Sequence, residues 1–344
     1  MRKLLNSLFV TTESAYALLE NDNIVLKNGD ELIGSYPLHI LEEIYLFSYA
    51  GASPALIGRC ADMGINLVFL KPNGKFLARI SGTNRGNVLL RRQQYRWADD
   101  EEASCRVARN FIFGKLSNAR HVLNRCRRDH ADRVNVLDFQ NTAEKLAELQ
   151  KQVLSATNLD ALRGFEGAGA TLYFGLFSQM ILDKSKSFVF LDRNRRPPLD
   201  RVNAMLSFTY ALLASSCASA LEMVGLDSYV GFLHRDRPGR TSLALDLMEE
   251  LRPCMADRFV LTLINNRIIG VKDFYEQENG AVWLDEKGRK KLLKIWQEQK
   301  RNIIEHSFTK EKIAWGLIPY VQALLLARYL RGDLDGYPPF IWRG

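Results

Sequence analysis

Three short segments of this chain hold the residue types and spacings that chemistry needs. The first is Leu162-Arg163-Gly164-Phe165-Glu166-Gly167-Ala168-Gly169, a glutamate framed by glycines. Glycines let a backbone turn tightly and let a bulky ligand approach, so Glu166 is expected at or near the start of a helix running through Thr171 to Leu182. The second is His234, which ends the apolar run Val230-Gly231-Phe232-Leu233 and opens the basic turn Arg235-Asp236-Arg237-Pro238-Gly239-Arg240. An imidazole there can bind a metal or carry a proton. The third is Asp246, Glu249 and Glu250, at i, i+3 and i+4, which helical spacing assigns to one face, while Leu243, Leu247 and Leu251 mark a core-facing row. Hard oxygen ligands with one imidazole suit Mn²⁺ or Mg²⁺ better than zinc. Each segment also has an ordinary explanation: a capping carboxylate at a helix N-terminus, a hydrogen-bonded half-buried histidine, and a solvated acidic face with an Arg252 ion pair.

Basic residues surround these segments. Lys184, Lys186, Arg193, Arg195, Arg196 and Arg201 fall in one expected loop, and Arg235, Arg237 and Arg240 follow the histidine. Carboxylates set among arginines are what phosphodiester chemistry asks for, since the metal needs anions and the phosphate backbone needs guanidinium groups. Several other sites are excluded. Gly114-Lys115 lacks the upstream glycine of a phosphate loop, and Gly164, Gly167 and Gly169 have the wrong spacing for a dinucleotide. There is no H-E-x-x-H helix and no G-x-S-x-G elbow. His39, His121, His130 and His306 stand in ordinary surroundings.

The elements that must position these residues change character along the 344 residues. Up to about residue 95 the pattern is mostly β. Asn28-Gly29 and Asn73-Gly74 signal hairpins, Tyr45–Phe47 and Leu67–Phe69 suit half-buried strands, and one helix is expected from Pro54 to Met63 with Gly64 as its stop. From about Asp99 the period is helical, with helices expected over Ala103–Arg128, Ala143–Leu154, Thr171–Leu182, Val202–Val224, Leu243–Asn265, Lys287–Lys300 and Lys310–Leu330. The fold class is therefore α+β: a small N-terminal β-rich domain (1–96) followed by a larger all-α catalytic domain (97–344). The end, from Gly336, reads as a tail without secondary structure of its own.

A net charge of +8 points to a polyanionic partner. A membrane is the weaker choice, because no uninterrupted apolar run reaches the roughly 18 residues of a spanning helix. The N-terminus lacks the long apolar region of a signal peptide, and a cytoplasmic location is expected. The five cysteines, Cys60, Cys105, Cys126, Cys217 and Cys254, never pair as C-x-x-C and read as reduced, mostly buried thiols.

In this order, the segments resemble the CRISPR-associated adaptation integrase and endonuclease family over essentially the whole chain. The resemblance is carried by Arg85-Gly86-Asn87-Val88-Leu89-Leu90-Arg91-Arg92-Gln93-Gln94-Tyr95, by Gly164-Phe165-Glu166-Gly167, by the stretch from Arg193 through Arg195-Arg196-Pro197-Pro198 to Asn203-Ala204-Met205-Leu206-Ser207-Phe208, by His234, and by Ser242–Pro253. In detail it looks like subtype I-C. It implies a Mn²⁺ or Mg²⁺ site of Glu166, His234 and Glu249, with Asp246 behind it or as an alternative ligand, and Arg252 as a basic neighbour. Arg193, Arg195, Arg196, Arg235, Arg237, Arg240 and Arg252 become candidates for DNA contact. The implied reaction is phosphoryl transfer on double-stranded DNA, the prespacer and the CRISPR repeat, in antiviral defence. The implied assembly is a homodimer, paired through the β-domain, that forms a heterohexamer with a small ferredoxin-like second Cas protein. An architectural DNA-binding protein and a helical interaction scaffold are the competing readings. Neither needs the Glu166, His234 and Glu249 constellation.

Overall fold

The computed structural model describes residues 6–12, 14–71, 76–80, 88–183 and 187–343. The Asn73-Gly74 turn, Arg85-Gly86-Asn87, Lys184 and Lys186 lie outside them. The N-terminal region builds two sheets. Strands β1 (Ser7–Val10), β5 (Glu43–Leu46), β6 (Asn66–Leu70) and β7 (Phe76–Ile80) form one, in which β1, β5 and β6 run parallel and β7 antiparallel to β6. Strands β2 (Tyr16–Glu20), β3 (Asn23–Asn28) and β4 (Glu31–Pro37) form an antiparallel meander whose last turn follows Asn28. Helix α1 (Pro54–Met63) is capped by Ser53 and ends at Gly64.

Strands β5 and β6 are buried on both faces, not half-buried as their short apolar runs predict. On β5, Ile44 and Leu46 point into an N-terminal core with Leu26, Leu56 and Leu67, while Tyr45 joins the core of the helical region. A strand sandwiched between two cores needs apolar side chains at every position, which is why alternation fails here. The two regions are also tied by a buried ion pair, Glu43 to Lys300 at 2.5 Å, with Ser7 Oγ donating to the same carboxylate at 2.5 Å.

The helical part comprises α2 (Val88–Asp99), α3 (Glu101–Asp129), α4 (Val136–Ser155), α5 (Leu159–Gly175), the short α6 (Phe177–Met180), α7 (Arg201–Met223), α8 (Ser242–Leu251), α9 (Arg258–Asn265), α10 (Glu286–Lys300) and α11 (Ile318–Leu330). Helical structure begins at Val88, ahead of Asp99 where the periodicity places it. Asp100, Asn135, Asn158, Asp200 and Asp285 cap their helices by accepting a first-turn backbone N–H. The expected single helix from Leu243 to Asn265 is two helices joined by a wide π-turn over Arg252–Asp257. Pro253 has no N–H to continue the α ladder. Two small hairpins interrupt the helices: β8 (Phe274–Glu276) with β9 (Val282–Leu284), and β10 (Ile303–Glu305) with β11 (Lys312–Ala314). The region is thus mostly helical and not all-α, and the helix expected from Lys310 begins at Ile318 with Pro319 in its first turn.

Helix α7 is long and apolar enough, by length and composition, to cross a membrane, but most of it is buried against α8 and α11. All five cysteines are free thiols, four of them buried.

Candidate active site

Helix α3 packs against α4, α5 and α8 and so brings the two carboxylate-bearing helices, α5 and α8, to its flank. Glu166 lies in the middle of α5, not at a helix start. The glycines around it serve packing and access instead of a turn. A Cβ on Gly169 would stand 2.2 Å from Leu116 Cδ2, so its absence lets α5 approach α3 closely, whereas Gly164 and Gly167 face open space. Glycine propensity is local and weak, and close helix packing overrides it.

His234 sits on the loop between α7 and α8, and Asp246 anchors that loop from α8. Asp246 is fully buried. Its Oδ2 accepts from the backbone N–H groups of Phe232 at 2.6 Å and Leu233 at 2.9 Å. Its Oδ1 accepts from His234 N at 3.0 Å and pairs with His234 Nδ1 at 2.5 Å. A carboxylate accepts only, so Nδ1 carries the hydrogen and Nε2 presents its lone pair. Both oxygens are thus committed to the loop and the imidazole, and Asp246 stands behind the histidine. Gly231 permits this: a Cβ there would lie 2.8 Å from Ser242 Cβ and 2.9 Å from Asp246 Oδ2. Arg163 completes the loop anchor by donating from Nη2 to Leu233 O at 2.9 Å.

The acidic face of α8 is not solvated. Asp246, Glu249 and Glu250 are all buried, and they diverge. Glu249 turns towards α3 and α5, while Glu250 turns towards the C-terminal tail. Lys115 of α3, only 7% exposed in its side chain, places its ammonium between Glu249 Oε2 at 2.7 Å and Glu166 Oε1. Arg252 Nη1 donates to Glu249 Oε1 at 2.9 Å and Oε2 at 3.1 Å, and its guanidinium lies 4.5 Å over the Tyr210 ring. Burial alone would raise the Glu249 pKa, but Arg252 and then Lys115 hold it well below the usual carboxylate range. Tyr210 donates to the buried Asp257, whose pKa burial lifts to about 6 against the pull of Arg252.

Lys115 is the participant that sequence reasoning missed. A signal existed: Phe111, Lys115 and Ala119 repeat every four residues and fall in the buried row of α3.

Glu166, His234 and Glu249 line one cleft of about 410 Å³ together with Arg163, Arg235, Arg237 and Arg240. Burial, then repulsion from Arg237, lowers the Arg240 pKa, and Arg195 and Arg196 add to that repulsion. The two arginine groups, distant in sequence, are therefore near enough for Arg195 and Arg196 to act on Arg240. Two candidates face inward. Arg193 donates to Asn203 Oδ1 at 2.6 Å and Ser207 Oγ at 3.1 Å, and Arg252 is committed to Glu249. Among the described residues no three His, Cys, Asp or Glu side chains stand as a ready cation cage. Two carboxylates already share one cation, Lys115, and the imidazole of His234 lines the same cleft. That donor set suits a hard divalent ion in type.

The chain is 45% identical to a CRISPR-associated endonuclease Cas1 of Chlorobaculum tepidum over 343 residues, the full length of both. It superposes on a casposase bound to an integration product with a TM-score of 0.84, at 22% identity, covering 98% of this chain and 94% of that one. It likewise matches 36% of a longer chain in a Cas6-RT-Cas1–Cas2 complex, with 98% of its own length covered, 22% identity and a TM-score of 0.81. The family model described as CRISPR associated protein Cas1 matches residues 8–298, and the chain belongs to that family.

Proposed function

We propose that this protein is a metal-dependent DNA endonuclease and integrase of CRISPR spacer acquisition. One observation carries this reading: carboxylates from two helices, Glu166 and Glu249, share a single cation on a cleft rimmed by arginines and faced by an oriented imidazole. The naming of its full-length relative as an endonuclease, and the fold it shares with a casposase, support it.

Glu166 and Glu249 would hold a Mn²⁺ or Mg²⁺ ion with Nε2 of His234, and the ion would supply Lewis-acid stabilisation of charge at phosphorus. Arg235, Arg237, Arg240, Arg195 and Arg196 bind the phosphate backbone and set its register. Asp246 fixes the imidazole so that Nε2 faces the reacting groups, either as a ligand through its lone pair or, after taking up a proton, as donor to the leaving oxygen. Arg252 and Tyr210 fix the Glu249 carboxylate. In strand transfer, a DNA 3′-hydroxyl forms a new bond to a phosphorus of the repeat. The bond from that phosphorus to the repeat's own 3′-oxygen breaks. The attacking hydroxyl loses its proton and the leaving oxygen gains one. In hydrolysis, water replaces the attacking hydroxyl.

The partners in this reading are double-stranded prespacer and repeat DNA, a second copy of this chain, and a small ferredoxin-like second Cas protein completing a heterohexamer, in the cytoplasm. The named complex containing Cas1 and Cas2 supports the last partner. Exposed Leu32, Ile33 and Tyr36 on the β2–β4 meander offer an apolar surface for pairing two copies.

A branched DNA resembling a half-integrated product, incubated with Mn²⁺ or with chelator, tests the proposal. Strand joining that needs Mn²⁺ and disappears in Glu166→Ala is the expected result. DNA binding without reaction, in any metal and with the second Cas protein present, would turn the reading to an architectural DNA-binding protein.

A further inference from the structure

We propose that Lys115 is an exchangeable internal cation with two seats, one between Glu166 and Glu249 and one in a small recess beside Asp257 and Tyr173, and that a divalent ion binds by driving it from the first to the second. The inference rests on the cation-binding reading of the site.

Charge balance supplies the first argument. Glu166 and Glu249 contribute two negative charges, and Lys115 and Arg252 already offset them. A divalent ion added to the same carboxylates would sit against a desolvated ammonium, where repulsion is poorly screened. Arg252 cannot yield, because both Glu249 oxygens and the Tyr210 ring hold it. Lys115 can yield. Its ammonium ends a flexible four-carbon stem, held among the described residues by the Glu166 and Glu249 carboxylates.

The recess supplies the second argument. Lys115 also lines a small, partly enclosed recess bounded by Gly169, Tyr173, Arg252 and Asp257, of about 10 Å³. That is room for roughly one water-sized group, which is the size of an ammonium head. Its walls carry oxygen acceptors. Asp257 is 2% exposed, and the buried Tyr173 Oη makes no hydrogen bond of ordinary geometry among the described residues. Burial, and then the nearby Asp257 carboxylate, push the Tyr173 pKa up, so the two oxygens lie close together. An arriving ammonium would donate to both. Glu166 and Tyr173 are seven residues apart on α5 and share a face, so both seats lie along one side of that helix.

In this arrangement Lys115 is a positioning residue. It keeps two facing carboxylates from repelling one another before the ion arrives, and it makes ion binding an exchange instead of an addition.

Mn²⁺ binding to the full chain without DNA, followed by the paramagnetic resonance signal of free Mn²⁺, reads this out apart from activity. Lys115→Gln and Lys115→Met are expected to bind Mn²⁺ about tenfold more tightly than the unmodified protein, since no cation must be displaced. Tyr173→Phe removes an acceptor from the inner seat and is expected to bind about threefold more weakly. Lys115 variants that bind no more tightly than the unmodified protein, while that protein does bind, overturn the exchange and leave the cation site standing. Absence of Mn²⁺ binding from every form overturns both. Circular dichroism melts identify any Lys115 variant that fails to fold. Recovery of its melt in Mn²⁺ supports replacement of the ammonium by the ion. If neither variant folds with or without Mn²⁺, Tyr173→Phe decides, and unchanged affinity there overturns the proposal.

Discussion

Glu249 and Glu250 adjoin on α8, are 5% and 0% exposed, and meet surroundings of opposite chemistry. Glu249 faces cations: Lys115 at 2.7 Å and Arg252 at 2.9 Å. Glu250 faces neutral donors. Its Oε1 accepts from Tyr337 Oη at 2.5 Å and Gln322 Nε2 at 2.9 Å, and its Oε2 accepts from Phe340 N at 3.1 Å. Burial lifts the Glu250 pKa to about 8, while its neighbour is held low. One helix turn thus carries an ionised carboxylate held by two cations, and a carboxyl group fixed by hydrogen bonds that staple the C-terminal tail. Asn118 adds to the staple, donating to Phe340 O at 2.8 Å and accepting from Trp342 N at 2.8 Å. Cation-paired carboxylates are suited to binding a metal, and hydrogen-bonded ones to holding chain.

Exchanging the two chemistries should give the largest effect. Glu249→Gln removes an anion facing two cations and is expected to lower Mn²⁺-dependent strand joining on the order of 10³-fold. Glu250→Gln should leave joining within roughly twofold of the unmodified protein while costing about 1–2 kcal/mol of stability, because an amide cannot accept from all three donors. Parallel rate and melting measurements check both, and equal losses of activity would erase the distinction. A smaller effect is expected one turn earlier. Asp246→Asn keeps the volume but no longer fixes the hydrogen on His234 Nδ1, so joining should fall roughly 10–100-fold with the melt within a few degrees. An unchanged rate would show that the imidazole does not depend on its buried partner.

The parts of this contrast differ in how far they could be read from sequence. Glu166 and His234 stood out by their settings, whereas Glu249 was singled out from Asp246 and Glu250 only by the family resemblance; the structure places all three on one cleft. The helices were legible where an apolar stripe, a polar cap and a stop coincide, as at Asp100 for α3 and Asn158 for α5. Lys115 was not, because a lysine in a helix ordinarily points to water, and only its place in a buried row betrays it. The split between Glu249 and Glu250 was hidden because helical spacing groups them broadly, while the 100° between adjacent positions sends them to different neighbours. The tail reads correctly as irregular, yet Tyr337, Phe340 and Trp342 are buried. Absence of secondary structure says nothing about burial when a carboxyl group and an amide side chain satisfy the backbone. Parallel pairing of β1, β5 and β6 was invisible, since it depends on contacts distant in sequence.

The smallest effect is the most discriminating, because it reads the two glutamates through opposite slopes. Between its ordinary value of 4.5 and about 8, Glu250 keeps a proton in the folded chain that the unfolded chain has released. Its contribution to stability is therefore complete at low pH and is lost as pH rises through about 8. Asp257, lifted from 3.8 to about 6, acts in the same direction but is exhausted above about pH 6.5. Glu249 has the reverse sign: its contribution is complete above 4.5 and is lost only as strong acid protonates the folded chain. From about pH 6.5 to 8, Glu250 is thus the carboxyl group expected to move stability, with a slope approaching about 1.4 kcal/mol per pH unit. Histidines that titrate in this window contribute alike to the unmodified protein and to Glu250→Gln, so they cancel in the difference. Calorimetric melts of the two proteins across the window should converge as pH rises, the unmodified protein losing the more. Parallel curves would mean that Glu250 is already ionised under its three donors, and the contrast between the two glutamates would then rest on their counter-charges alone.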